Sequence, residues 1–159
     1  MNIFVLSLCP QNAARLHCDK HVVKMILETA QLLYTAHHVL GTPNLPEGAY
    51  KKTHTNHPCA VWTRESIENY KWLAELGWWL CKEYQFRYGE HKVHKTERHI
   101  VWLKENIPNV PDVAMTPMRQ AMPDPYKNAD PVKAYQTYYI QDKARMLTYT
   151  RRERPEFIS

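Results

Sequence analysis

The feature of the sequence that most restricts its fold is the uninterrupted stretch from about Gln11 to Leu40, which contains neither Gly nor Pro. Pro10 precedes it, where the first turn of a helix tolerates proline, and Gly41 follows it, where a glycine ends a helix. Apolar residues cover most of the circumference that this stretch would have as a helix, as expected for a central helix rather than a surface one. We therefore predict one long central helix and a mainly α-helical protein.

One narrow polar stripe interrupts this predicted helix. Its members recur at helical spacing and share one side of the helix: His17, His21, Lys24, Glu28, Gln31 and Thr35. Ionisable groups on an otherwise apolar helix are costly to bury unless they are paired or used. The stripe therefore predicts either a structural polar network or a catalytic cleft.

The chemistry available to a cleft follows from three members of the stripe. Glu28 is the candidate general acid or base, or the group that stabilises a developing cation. Lys24 is a candidate amine nucleophile, and His21 would support Glu28 or protonate a leaving group. The structural alternative is an ordinary i,i+4 ion pair between Lys24 and Glu28. The same helical geometry places Asp19 on the opposite side, away from the stripe.

Further helices are predicted along the chain. One begins near Pro58 and stops at Gly89, and residues 90–106 form a third, more polar helix. Residues 107–131 are rich in proline and are predicted to wrap the surface without regular structure. The last helix is predicted over residues 132–149. The fold class is thus mainly α, with three to four helices joined by long Pro-rich segments.

The ends of the chain complete this prediction. Residues 1–8, "MNIFVLSL", are predicted to be either one short strand or a buried extended arm. Asp130 followed by Pro131 is a favourable start for the last helix. The basic tail, about residues 150–159, is expected to fray. We predict one compact domain over residues 1–159.

A second polar cluster lies just before the predicted second helix. In "THTNHPCAVW", Asn56 and His57 precede a helix N-terminus, which attracts phosphate, and Arg64 is close by. The alternative is that Asn56 or His57 only caps the helix. Tyr138 is a candidate for stacking on a base. The candidate substrate-binding residues are His17, Lys20, Asn56, His57, Arg64 and Tyr138.

Composition restricts the partners and the compartment. The net charge of +5 and the pI of about 9.0 are compatible with a polyanionic partner but do not require one. The cysteines form no Cys-x-x-Cys pair, and no His-Glu-x-x-His motif is present, so neither a metal nor a cofactor is predicted. No signal peptide and no membrane-spanning apolar run are recognised, so we expect a soluble, cytoplasmic monomer.

The stretch "CDKHVVKMILE" resembles the first-helix signature of the phage-type pyrimidine dimer DNA glycosylases. That signature consists of an Asp, one intervening residue, a His, and a catalytic Glu seven positions later, matched here by Asp19, His21 and Glu28. A His that opens a long helix is matched by His57 in "NHPCAVW", and "AYQTYYIQDKA" is similar to the family's C-terminal aromatic run. The resemblance implies a small, mainly helical enzyme with glycosylase and abasic-site lyase activity.

The sequence departs from this family at two places. The family's lyase nucleophile is the α-amine exposed by removal of the initiator Met, but Asn2 is larger than that processing usually accepts. Either Met1 keeps its own amine as the nucleophile, or Lys24 replaces it, or lyase activity is absent. The family also carries arginines around the catalytic Glu, where this chain has Leu27 and Gln31.

The resulting hypothesis is a DNA-directed N-glycosylase with abasic-site lyase activity on a damaged or modified pyrimidine. Glu28 would stabilise the oxocarbenium-like sugar, and Lys24 or the Met1 amine would attack C1′. A target base inside duplex DNA would have to be flipped out. Two alternatives stay open: a nucleotide- or base-modifying hydrolase or transferase on the same scaffold, and a non-catalytic nucleic-acid-binding protein.

Overall fold

Helices dominate the protein, as the sequence predicts. The structure is a computed structural model that describes residues 1–158; within them it has three short 3₁₀ helices and no β-strand. Its α-helices are α1 (Pro10–Leu16), α2 (Asp19–Val39), α3 (Pro58–Thr63), α4 (Ile67–Tyr88), α5 (Glu97–Glu105) and α6 (Pro131–Asp142). The mainly α class is confirmed, whereas the prediction of three to four helices is wrong, because two predicted helices are each divided.

The first division separates α1 from α2 at His17 and Cys18. Both residues have extended backbone, with ψ angles of 136° and 161°. The freed N–H groups find distant partners: that of Cys18 donates to the Tyr139 hydroxyl group (3.3 Å), and that of Asp19 donates to the Thr148 carbonyl group (2.8 Å). These long-range hydrogen bonds replace the intrahelical ones that an unbroken helix would have made.

The second division separates α3 from α4 at Ser66. Its side chain caps α4 by accepting from the N–H groups of Glu68 and Asn69. A serine cap at this position starts a new helix and fixes a new direction. The predicted third helix, residues 90–106, is shorter in the structure, where it corresponds to α5. The predicted last helix corresponds to α6, which ends at Asp142 before a 3₁₀ helix (Ala144–Met146). The predicted cap at Asp130 is confirmed, since its carboxylate accepts from Val132 N–H (3.0 Å).

The core lies between α2 and α4, with α1, α3 and α5 packed around them. At Gly77 in α4, a Cβ atom would lie 2.9 Å from Ile100 Cδ1 of α5 and 3.0 Å from Thr29 Cγ2 of α2. Glycine therefore permits a close approach of three helices. The cost of glycine in a helix is offset by this packing.

The N-terminal segment forms a buried extended arm, and no strand. Ile3, Phe4, Val5 and Leu6 are each at most 5% exposed and belong to the same core as α2 and α4. The arm thereby places the first residue of the chain inside the protein, beside α2. None of the helices in residues 1–158 combines the length and the apolar character needed to cross a membrane.

Residues 150–158 of the basic C-terminal tail are held against the helices, so the expectation that the tail frays is wrong there; Ser159 lies outside the described residues. Arg152 makes two hydrogen bonds to the Glu83 carboxylate, at 2.8 and 2.9 Å, and Thr150 bonds both carboxylate oxygens of Asp19. Arg87 joins the same network, with its fully buried guanidinium bonded to Glu83 and Asp19. Charge pairing therefore orders a segment whose composition alone suggested disorder.

Candidate active site

One pocket gathers most of the residues that the sequence singled out. It has a volume of about 280 Å³ and lies between the N-terminal arm, α2, α6 and the loop before α3. The predicted site residues that line it are Met1, His21, Lys24, Glu28, His57 and Tyr138. The part of the polar stripe formed by His21, Lys24 and Glu28 therefore faces a cleft.

Two amines approach the carboxylate of Glu28, one at each oxygen. The α-amine of Met1 lies 3.5 Å from Oε1, and Lys24 Nζ lies 3.5 Å from Oε2. The two amines differ in their surroundings, because the Met1 side chain is 5% exposed and that of Lys24 is 67% exposed. The predicted i,i+4 ion pair between Lys24 and Glu28 is present. Together with the Met1 α-amine, it forms a cluster of three charged groups at the pocket.

Asn2, the residue next to the α-amine, is bonded in the core through its side chain. Its Nδ2 donates to the Ala121 carbonyl group (3.0 Å), and its Oδ1 accepts from Ile3 N–H (2.8 Å) and lies 3.0 Å from Tyr135 Oη. Every polar atom of this buried amide is thus engaged. Asn2 is thereby held in the core, which restricts how far the α-amine of the preceding residue, Met1, can move.

His21 lines the pocket on the same helix as Lys24 and Glu28. Its Nδ1 lies 2.6 Å from Tyr139 Oη, and its ring stacks on Phe4 with centroids 4.3 Å apart and 19° between the planes. Burial lowers the pKa of His21 to about 3, and the neighbouring charges of His17, Lys143 and Lys24 act in the same direction. The ring is therefore neutral near pH 7.

The cluster before α3 has a clear structural role. His57 caps α3 by accepting the Cys59 N–H at Nδ1 (3.0 Å), and Arg64 donates to the Thr55 carbonyl group (2.8 Å), which closes the loop. Burial lowers the pKa of His57, as do the Met1 ammonium and His54, while Glu28 opposes them. Asn56 is exposed and does not line the pocket. A phosphate-binding role for this cluster stays a prediction.

Four of the six predicted substrate-binding residues lie outside the pocket lining: Asn56, Arg64, His17 and Lys20. His17 is completely buried, with Nδ1 2.6 Å from the Ala13 carbonyl oxygen, because the break before α2 rotates it out of the stripe. Lys20 is exposed on α2 and does not line the pocket. Asp19 points away from it, as the helical geometry predicts, and bonds Arg87 and Thr150. Within residues 1–158, no group of His, Cys, Asp and Glu is arranged to hold a metal ion.

Sequence reasoning missed Phe4 and Lys143, which also line the pocket. Tyr138 stacks on Phe4 (centroids 6.2 Å, planes 24°) and on Tyr126 (5.7 Å, 30°), and Lys143 Nζ lies 5.0 Å from the centre of the Tyr138 ring. Phe4 lies in an apolar run that looks entirely structural, so no signal pointed to it. Lys143 lies five residues after Tyr138, near the aromatic run, and this proximity was the available signal.

Comparison with known families gives one match. A family model described as pyrimidine dimer DNA glycosylase matches residues 1–96 of the chain. No curated protein and no solved structure matches the chain. The matched segment includes the two amines, Glu28, His21 and His57, and it ends before Tyr138 and Lys143.

Proposed function

The chain belongs to the pyrimidine dimer DNA glycosylase family, and we propose that it releases a damaged or modified pyrimidine from DNA and then cleaves the abasic site as a lyase. The single observation that carries this proposal is the Met1 α-amine 3.5 Å from Glu28 Oε1 at the pocket. A primary amine beside a carboxylate supplies both a nucleophile and a group that accepts or returns protons.

The reaction follows from these two groups. The ammonium of Met1 first gives one proton to solvent, which frees the lone pair of the amine. That lone pair forms a bond to C1′ of the sugar, the C1′–N1 bond breaks, and the base leaves with the electron pair and takes up a proton from solvent. The charge of Glu28 stabilises the oxocarbenium-like sugar as that bond lengthens. Loss of a proton from nitrogen to Glu28, with opening of the sugar ring and protonation of O4′, then gives the imine on which lyase cleavage depends.

Of the two amines, we assign the nucleophile to Met1. A nucleophile is most effective when its position is fixed before the reaction, because the entropy of ordering it has then been lost already on folding. Three hydrogen-bonding contacts hold Asn2, the residue next to Met1, in the core, whereas the Lys24 side chain is mostly exposed. Lys24 has the role of a charge that orients Glu28 and attracts phosphate.

The remaining walls of the pocket suit a base that has left the duplex. Tyr138 is a partly exposed aromatic ring at the pocket, and stacking on such a ring contributes about 1–3 kcal/mol per base. Lys143 adds a positive charge at the same wall. Enzymes that act on a base must extrude it from the stack, and such a wall stabilises the extruded nucleotide.

The test is cleavage of the glycosidic bond in a duplex oligonucleotide that carries one cyclobutane pyrimidine dimer. The readout is formation of an abasic site, because the detached pyrimidine stays attached to its neighbour through the cyclobutane ring. We expect the wild type to break the glycosidic bond and Glu28→Gln to be slower by at least about 100-fold. Glu75→Gln is the matched control, because Glu75 also pairs with a lysine (Lys104, 3.0 Å) but lies outside the pocket. It is expected to retain full activity.

Two outcomes would contradict the proposal. One is a folded wild-type protein that breaks no glycosidic bond in dimer-containing or other damaged duplexes. The other is an equal rate for Glu28→Gln and Glu75→Gln. Turnover of a free nucleotide without action on DNA would instead establish the nucleotide-directed alternative.

A further inference from the structure

His21 lies between a buried hydroxyl group and the open pocket. Its Nδ1 faces Tyr139 Oη at 2.6 Å, and Tyr139 is fully buried. On the other edge of the ring, Nε2 makes no hydrogen bond within residues 1–158. This atom is accessible to solvent, since it is not one of the fully buried polar atoms without a partner. Because the ring lines the pocket, Nε2 is the ring atom available to a substrate.

The position of the Tyr139 proton decides which nitrogen of His21 carries hydrogen. Tyr139 Oη already accepts the Cys18 N–H (3.3 Å), and its own proton has two acceptors within reach, His21 Nδ1 at 2.6 Å and Cys18 Sγ at 3.6 Å. An imidazole nitrogen is a much stronger acceptor than a thiol sulfur.

The Tyr139 hydroxyl group therefore donates its proton in a hydrogen bond to His21 Nδ1. A neutral imidazole has a single N–H group, and the two ring nitrogens are complementary: a hydrogen bond accepted at one places the hydrogen on the other. His21 is neutral near pH 7 because burial holds its pKa far below that range. Its N–H group is consequently at Nε2, on the pocket side.

His17, one turn earlier, provides a contrast within the same core. Its Nδ1 lies 2.6 Å from the Ala13 carbonyl oxygen, which can only accept. The proton of His17 must therefore be on Nδ1, and burial lowers its pKa to about 4, so this ring is neutral too. Two neighbouring buried histidines thus have opposite tautomers, each fixed by the partner at Nδ1.

We propose that Tyr139 is a positioning residue that fixes His21 in the Nε2–H tautomer, so that His21 donates a hydrogen bond to the departing base. The role rests on the glycosylase function proposed above. As the C1′–N1 bond breaks, the electron pair moves onto the pyrimidine, and part of the negative charge appears on the carbonyl oxygen next to N1. A neutral N–H donor fixed in the pocket wall stabilises this charge without a change of protonation in the enzyme.

The tautomer is tested directly by nuclear magnetic resonance. Long-range ¹H–¹⁵N spectra of the ¹⁵N-labelled protein at pH 7 distinguish a protonated ring nitrogen from an unprotonated one. We expect the protonated nitrogen to be Nε2 for His21 and Nδ1 for His17. In Tyr139→Phe, which keeps the ring, His21 is expected to show a mixture of tautomers while the pattern of His17 is unchanged.

The function of the tautomer is tested by single-turnover base release. Tyr139→Phe is expected to lower the rate about tenfold, the effect of one hydrogen bond of ordinary strength, with DNA affinity within about twofold of wild type. Tyr149→Phe is the matched control, because its hydroxyl group donates to the Leu16 carbonyl group (2.7 Å) and does not contact His21. It is expected to keep both the rate and the tautomer.

The outcomes separate this inference from the proposed function. A proton on Nδ1 of His21 in the wild type, or the same tautomer in wild type and Tyr139→Phe, would overturn the inference. An equal loss of rate in Tyr139→Phe and Tyr149→Phe would overturn the positioning role. Spectra as expected, in a protein that releases no base, would support the tautomer assignment and overturn the proposed function.

Discussion

Acidification tests the buried histidine network quantitatively. His17, His21 and His37 are at most 3% exposed, and burial lowers their pKa values to about 4, 3 and 4 from an ordinary 6.5. Each is neutral in the folded protein down to a pH near its lowered pKa. In the unfolded chain each would take up a proton as the pH falls through 6.5, so acid favours unfolding.

The magnitude follows from proton linkage. Between pH 6.5 and about pH 4, the unfolded state binds about one more proton per buried histidine, and each contributes about 1.4 kcal/mol of destabilisation per pH unit. The three sites together should lower the free energy of unfolding by about 5 kcal/mol between pH 7 and pH 5. Since small proteins have a total stability of about 5–15 kcal/mol, this is a large fraction of it.

The assay is urea denaturation at pH 7, 6, 5.5 and 5, followed by circular dichroism. His37→Gln is expected to reduce the loss of unfolding free energy between pH 7 and pH 5 by about 2 kcal/mol, because it removes one such site. His38→Gln, at the exposed neighbouring histidine, is the control and is expected to keep the wild-type slope. A free energy of unfolding that stays constant from pH 7 to pH 5 would refute the reasoning.

Three further substitutions test the packing and the site. Gly77→Ala should destabilise the protein by about 1–3 kcal/mol in urea despite the better helix propensity of alanine, and an increase in stability would contradict the close helix approach. Asn2→Leu should cost about 2–4 kcal/mol through lost hydrogen bonds and should also slow the lyase step; unchanged lyase kinetics would contradict its positioning role. Arg87→Met should cost about 3–5 kcal/mol, since Glu83 and Asp19 lose their buried partner, and a thermal midpoint equal to that of wild type would contradict this.

Helix content was predictable from local patterns, but the helix breaks were not. The stretch from Gln11 to Leu40 contains no residue that breaks a helix, yet the chain bends at Cys18. The bend is stabilised by the hydroxyl group of Tyr139 and the carbonyl group of Thr148, far along the chain. Single-residue propensities contain no information about such distant partners.

The candidate site shows the same division between local and long-range information. The spacing within α2 was enough to place His21, Lys24 and Glu28 on one wall, because three-residue and four-residue spacings are local geometry. His17 left the wall because the helix broke between it and His21. The position of the Met1 amine at Glu28 depends on how Asn2 is bonded in the core, which only the folded structure reveals.

The most direct test of the central claim is borohydride trapping of the protein on a duplex with one abasic site, followed by mass mapping of the adduct. We expect a covalent adduct on the N-terminal peptide, at the α-amine of Met1. The adduct should persist in Lys24→Arg, which keeps the positive charge but removes the side-chain amine. An adduct on Lys24, or no adduct from a folded protein with a free α-amine, would contradict the assignment of Met1 as the nucleophile.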